Sequence, residues 1–166
     1  YRKGDKATAY QAYINGINGH FSFINRSYSG VKGALNLYNT SPISSAAISN
    51  YLKGANVKQN ETDLKLSDIM LQKYIAMWGW GFVETWVDLR KYHYQDTESG
   101  TTDTVYRTFN LPAPLYSLNN NLPVYRVRPH FTSEYTYNYT ELQRVGALKN
   151  DYQTKEMWFS TLTVPQ

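Results

Sequence analysis

The densest set of reactive side chains in the sequence is Glu84, Trp86, Asp88 and Arg90. Glu84 and Asp88 are four residues apart, so on a helix they share a face and repel unless something neutralises them. Two carboxylates on one face are the raw material of a general acid and base. A glycosidase, however, sets its pair across a cleft, usually from different elements, and this spacing requires no such thing. The more ordinary role is a charge network that accepts Arg126, Arg128 or Arg90 and pins the last segment to the helix. The specific expectation is that Asp88 or Glu84 pairs with Arg126 or Arg128. If such a pair is buried, removing one partner costs about 3–5 kcal/mol, because the other charge is stranded.

Other chemistry is sparse. The 166 residues hold no cysteine, which excludes thiol catalysis, disulfides and Cys-ligated zinc in these residues. The histidines are His20, His93 and His130, far apart in sequence. His93 lies just past an expected helix end, where interaction with the helix dipole is the ordinary role. No nucleophile elbow, phosphate-cradling loop or dinucleotide fingerprint is present, so neither a metal nor a cofactor is expected. Net charge is +4 with only 18% of residues charged. Arg126 and Arg128 beside Tyr125, Tyr135 and Tyr137 could stack on bases. No sheet to present them is indicated, and no nucleic-acid partner is expected. Aromatic content is the unusual number: 16 tyrosines, 4 tryptophans and 6 phenylalanines. Such rings either build a core short of aliphatic residues or line a surface that grips sugars or peptides.

The length suits one domain. No run approaches the ~18 apolar residues of a membrane span, and no export leader is read in these residues. The pattern predicts a helix over residues 5–24, capped by Asp5, with Tyr10, Tyr13, Ile14, Ile17, Phe21 and Ile24 on one face. Gly16 and Gly19 weaken it and could admit a neighbouring backbone. Residues 25–40 read as a loop. Ser41 is expected to cap a second helix, with Pro42 in its first turn, running to about Lys53. Residues 54–65 read as a polar surface link. A third helix, capped by Ser67, is expected to run to about Tyr92 and span about 37 Å. Ile69, Met70, Ile75, Trp78, Phe82, Trp86 and Leu89 fall near one of its faces. Gly79 and Gly81 in its middle are expected to admit another helix. Residues 93–124 carry no amphipathic pattern and read as long loops. A last helix is expected over 133–146, capped by Ser133. The fold class is mainly α, with packed helix pairs and long irregular loops.

The run from Ile69 through Gln72-Lys73-Tyr74-Ile75-Ala76 to Trp86-Val87-Asp88-Leu89-Arg90 resembles the SusD/RagB family. Tyr10-Gln11-Ala12-Tyr13-Ile14-Asn15-Gly16-Ile17 is similar to that family's helix just upstream. Arg126-Val127-Arg128-Pro129, then Ser133-Glu134 and Asn138, is similar to its closing segment. Lys91 stands where the family has a second arginine, and His130-Phe131-Thr132 intervene before Ser133.

The resemblance implies tetratricopeptide-like helix pairs, and residues 1–166 as a single C-terminal fragment of a SusD-like protein. It implies a non-catalytic outer-membrane lipoprotein that captures glycans or other nutrients, peptides included, beside a TonB-dependent, SusC-like transporter barrel. The lipid anchor and export signal would lie in a part outside this chain. Trp86, Asp88, Arg90, Arg126, Arg128, Glu134 and Asn138 then become scaffold. Ligand contact is expected in the loops, with Tyr106, Phe109 and Tyr116 as stacking rings. Two other readings stay open: a carbohydrate-active hydrolase using Glu84 and Asp88, and a structural fragment that only docks on the barrel.

Overall fold

A computed structural model describes residues 1–26 and 42–161. Ser41 and most of the loop expected at 25–40 lie outside them. The described chain is mainly helical, with packed helix pairs and no strand, only an isolated bridge between Thr97 and Thr104. No helix among the described residues is long and apolar enough to cross a membrane. The chain forms two compact units, Tyr1–Phe82 and Val83–Gln166.

In the first unit, α1 spans Lys6–Ile24. Asp5 caps it, Oδ1 accepting the Thr8 N–H at 3.0 Å. That backbone bond, with the Thr8 hydroxyl helping, holds the Asp5 carboxyl below its ordinary pKa. The apolar face forms as its spacing predicts, and Tyr13 and Ile17 are buried. The glycines do not admit a backbone: a Cβ built on Gly16 or Gly19 meets nothing within 4 Å. Helix α2 is Ser45–Leu52, and Ser44 caps it by accepting the Ala47 N–H. Pro42 therefore precedes the helix rather than opening it. The Asn25 side chain both donates to and accepts from the Ile43 backbone at 2.9 Å, tying the end of α1 to the approach to α2. Residues 54–65 are more than a surface link. Val57 and Leu64 are buried and join Tyr13 and Ile17 in the core.

The long third helix is two helices. Helix α3, Leu66–Met77, packs against α1, and α4 is Phe82–Lys91. Ser67 lies inside α3 and is buried. The start is fixed instead by Asp68, whose Oδ2 accepts the Lys65 N–H at 3.0 Å. The break at residues 78–81 has a plain cause. Gly79 takes φ +77°, a left-handed state that ends a helix cheaply only at glycine. Nothing packs on Gly79, and Gly81 meets only the Met77 side chain, so no second helix is admitted there. The break also scatters the expected apolar face: Trp78 and Phe82 are about three-quarters exposed (75% and 74%). Trp80 meets Phe23 edge-on at 5.4 Å.

The second unit is irregular, with short helices. Beyond α4 the chain turns through His93 and Tyr94 at φ +43° and +64°. Asn120 and Asn121 also take positive φ, which asparagine tolerates better than most residues. The helix expected over 133–146 is interrupted. A π turn, Phe131–Tyr135, begins at His130, whose ring accepts the Ser133 N–H. The α-helix proper, α5, is Tyr139–Arg144. Asn138 lies between them, its side chain donating back to Glu134 at 2.8 Å, a local bond that competes with helix continuation. A 3-10 turn at Asn150–Thr154 and the four-residue α6, Trp158–Thr161, follow.

Candidate ligand-binding site

Helices α1 and α3 pack with their facing side chains unequal in size. Along α1, Ala9, Ala12 and Gly16 recur at three- and four-residue steps and leave a furrow. Ile69, Gln72, Lys73 and Ala76 form the matching row on α3. The result is a half-open groove of about 690 Å³ within the first unit. That volume falls in the range of about 300–1,000 Å³ usual for small-ligand sites. Tyr1, Tyr13, Phe21 and Tyr51 supply aromatic faces to it. Phe21 and Tyr51 meet edge-to-face at 5.4 Å. The polar groups are few. The Tyr51 hydroxyl donates to Gln72 Oε1 at 3.1 Å, and Gln72 Nε2 donates to the Asn56 carbonyl at 3.2 Å. His20 also lines the groove, and burial lowers its pKa, favouring the neutral ring. Among the described residues no carboxylate lines it. An apolar trough with rings and a few fixed polar groups can hold a ligand by its faces.

The groove was not expected from the sequence. Its aromatic and aliphatic residues are legible as a helical face, but the sequence does not say whether that face is core or a ligand surface. The signal that could have found it is the small-residue row Ala9, Ala12 and Gly16.

Trp86, Asp88 and Arg90 stand on α4 in the second unit. Arg90 is buried. Its Nε donates to the Trp86 carbonyl at 3.2 Å and its Nη1 to the Tyr125 carbonyl at 2.7 Å. The guanidinium lies 3.7 Å from the centre of the Trp86 ring. Trp86 Nε1–H donates to the Tyr94 hydroxyl at 3.1 Å, and that hydroxyl donates to the Val124 carbonyl. The motif therefore does tie α4 to the segment at residues 124–126, through carbonyls and not through carboxylates. The expected pairing of Asp88 or Glu84 with Arg126 or Arg128 is not formed. Arg126 donates to the Lys155 and Glu156 carbonyls at 2.9 and 2.8 Å and lies over the Tyr152 ring. Arg128 and Glu84 are exposed. Glu134 and Asn138 bond each other.

The three rings expected to stack on ligand fare differently. Tyr106 is only 3% exposed, packed edge-on to Tyr92. Burial, and then the Asp88 charge, push its hydroxyl pKa up, so it stays neutral and turned inward. Tyr106 offers no face to a ligand in this arrangement, because the loop it sits in folds back as core. Phe109 is half-buried, stacked on Tyr94 at 5.9 Å. Tyr116 is exposed.

No protein-family model, curated protein or solved structure matches the chain.

Proposed function

We propose that this chain is the C-terminal part of a SusD-like, non-catalytic nutrient-binding lipoprotein. In that role it works beside a TonB-dependent, SusC-like transporter barrel on the outer face of the outer membrane. Its lipid anchor would lie outside these residues. The motif resemblance supports the family, and the mainly helical fold agrees with it. The observation that carries binding over catalysis is the groove between α1 and α3. It is aromatic and mostly apolar, and among the described residues no carboxylate lines it. Glu84 and Asp88, the pair a hydrolase would need, are not among its lining residues. Such a groove suits a ligand with apolar faces: the CH face of a pyranose, or apolar side chains of a peptide.

The test is isothermal titration of the chain against oligosaccharides and apolar peptides. Saturable heat without product is expected, weakened at least tenfold by Tyr51→Ala, since hot-spot rings commonly supply about 1.4 kcal/mol or more. Turnover of a glycan that disappears in Glu84→Gln would instead establish the hydrolase.

A further inference from the structure

His93 follows the end of α4 and carries a carboxylate on each side. Nδ1 lies 2.7 Å from Asp96 Oδ2, and Nε2 lies 3.3 Å from Glu156 Oε2. Only the imidazolium has a proton on both nitrogens. The neutral ring has one donor. It keeps that donor on the closer carboxylate, Asp96, and turns a lone pair toward Glu156. We infer that His93 is a proton-operated clasp: charged, it ties Glu156 and the start of α6 to the end of α4, and neutral, it lets that segment loosen.

The surroundings favour this working. Asp96 and Glu156 are the charges acting on the ring. Tyr125 lies edge-on at 5.9 Å, and burial, with the Glu156 charge adding, pushes its hydroxyl up to about 12. It therefore stays neutral while His93 titrates. Tyr94, also raised by burial, does the same. Arg126 holds the Lys155 and Glu156 carbonyls, and Lys155 pairs with Asp151 at 3.2 Å. On the far side, the Ser160 hydroxyl donates to the Met157 carbonyl at 2.8 Å, and its Oγ lies 3.4 Å from Glu156 Oε2. Phe159 lies 5.0 Å from the Arg90 guanidinium. The Glu156 carboxylate thus sits between the ring and α6, which is too short to stand alone.

Burial is the strongest single influence on His93 and acts downward, but the bonds and charges of Asp96 and Glu156 outweigh it. The net effect is a pKa above the ordinary 6.5. A raised folded-state value means the clasp contributes fully below the unfolded value and is lost as pH rises through the folded one.

The experiment is NMR on the whole chain from about pH 5.5 to 9, following the His93 ring, the Trp158 indole and the Ser160 amide. The Trp158 and Ser160 signals are expected to move with the His93 midpoint, which lies above 6.5. Glu156→Gln should lower that midpoint and remove the coupled movement of Trp158 and Ser160. In the folded parent chain, tail signals that stay fixed or follow another midpoint overturn the inference. So does a His93 midpoint unchanged by Glu156→Gln.

Discussion

The Arg90 guanidinium is planar and presents its donors in a fixed fork, whereas an ammonium is a point charge on a flexible stem. That difference decides what holds α4 to residues 124–126. One edge of the fork reaches the Trp86 carbonyl, another reaches the Tyr125 carbonyl, and the plane lies over the Trp86 ring. Lysine can make one of those bonds and cannot lie flat on the indole. Arg90→Lys is therefore expected to cost about 1–3 kcal/mol, the penalty for leaving a buried carbonyl unsatisfied. Urea unfolding would show it as a lower midpoint at unchanged slope. A loss under about 0.5 kcal/mol, the scale of an ordinary surface change, would remove Arg90 from this role. Trp86 and Arg90 are legible as a motif, but the tie to the later segment is expected through Glu84 or Asp88 and runs through Arg90 instead. The acceptors are not legible, because they are backbone carbonyls and every residue has one. Counting opposite charges pointed Asp88 at Arg126, while the fold satisfies Arg126 with the Lys155 and Glu156 carbonyls. Ring type was equally silent about exposure: Tyr106 is core, Tyr116 is surface.

The glycines of α1 and of the α3–α4 break look alike in sequence and behave oppositely. Gly16 and Gly19 sit in helical backbone with open space where a Cβ would go. Gly16→Ala and Gly19→Ala should each stabilise by about 0.5–1 kcal/mol, because alanine loses less chain entropy on folding. Gly79 is at φ +77°, where a Cβ crowds the following carbonyl. Gly79→Ala should destabilise by about 1–2 kcal/mol. Thermal melts of the three variants should move in opposite directions, up for the α1 pair and down for Gly79→Ala. If all move the same way, the assignment of the break to Gly79 fails. Helix α1 was legible end to end, because its cap and its period agreed. The α3–α4 boundary was not, because the apolar period continues across it through Trp78 and Phe82. Period measures which residues are apolar and not whether the backbone carries on. Val57 and Leu64 were missed for the converse reason: two buried residues in a polar stretch make no period at all.

At the scale of the molecule, the aromatic side chains of the described residues do several different jobs. Tyr13, Tyr94, Tyr106 and Tyr125 are buried and replace missing aliphatic core. Tyr1, Phe21 and Tyr51 face the groove. Trp78, Phe82, Phe131, Tyr137 and Trp158 are exposed. Composition alone could not make that division. Mass action separates a binding function from the rest. A ligand that binds only the folded groove stabilises it by about 2.7 kcal/mol at one hundred times its Kd. The gain should appear as a rise in Tm that grows with ligand concentration. Tyr51→Ala should cut the rise to about half or less at the same ligand concentration, since a tenfold weaker groove gains only about 1.4 kcal/mol there. Glu84→Gln should leave it intact, because Glu84 is exposed on α4 and does not line the groove. Tyr106→Ala should lower the starting Tm, since truncating a buried aromatic costs about 3–5 kcal/mol, yet leave the ligand-induced rise in place. A rise lost with Glu84→Gln and kept with Tyr51→Ala would move the site to α4 and revive the carboxylate pair as its chemistry.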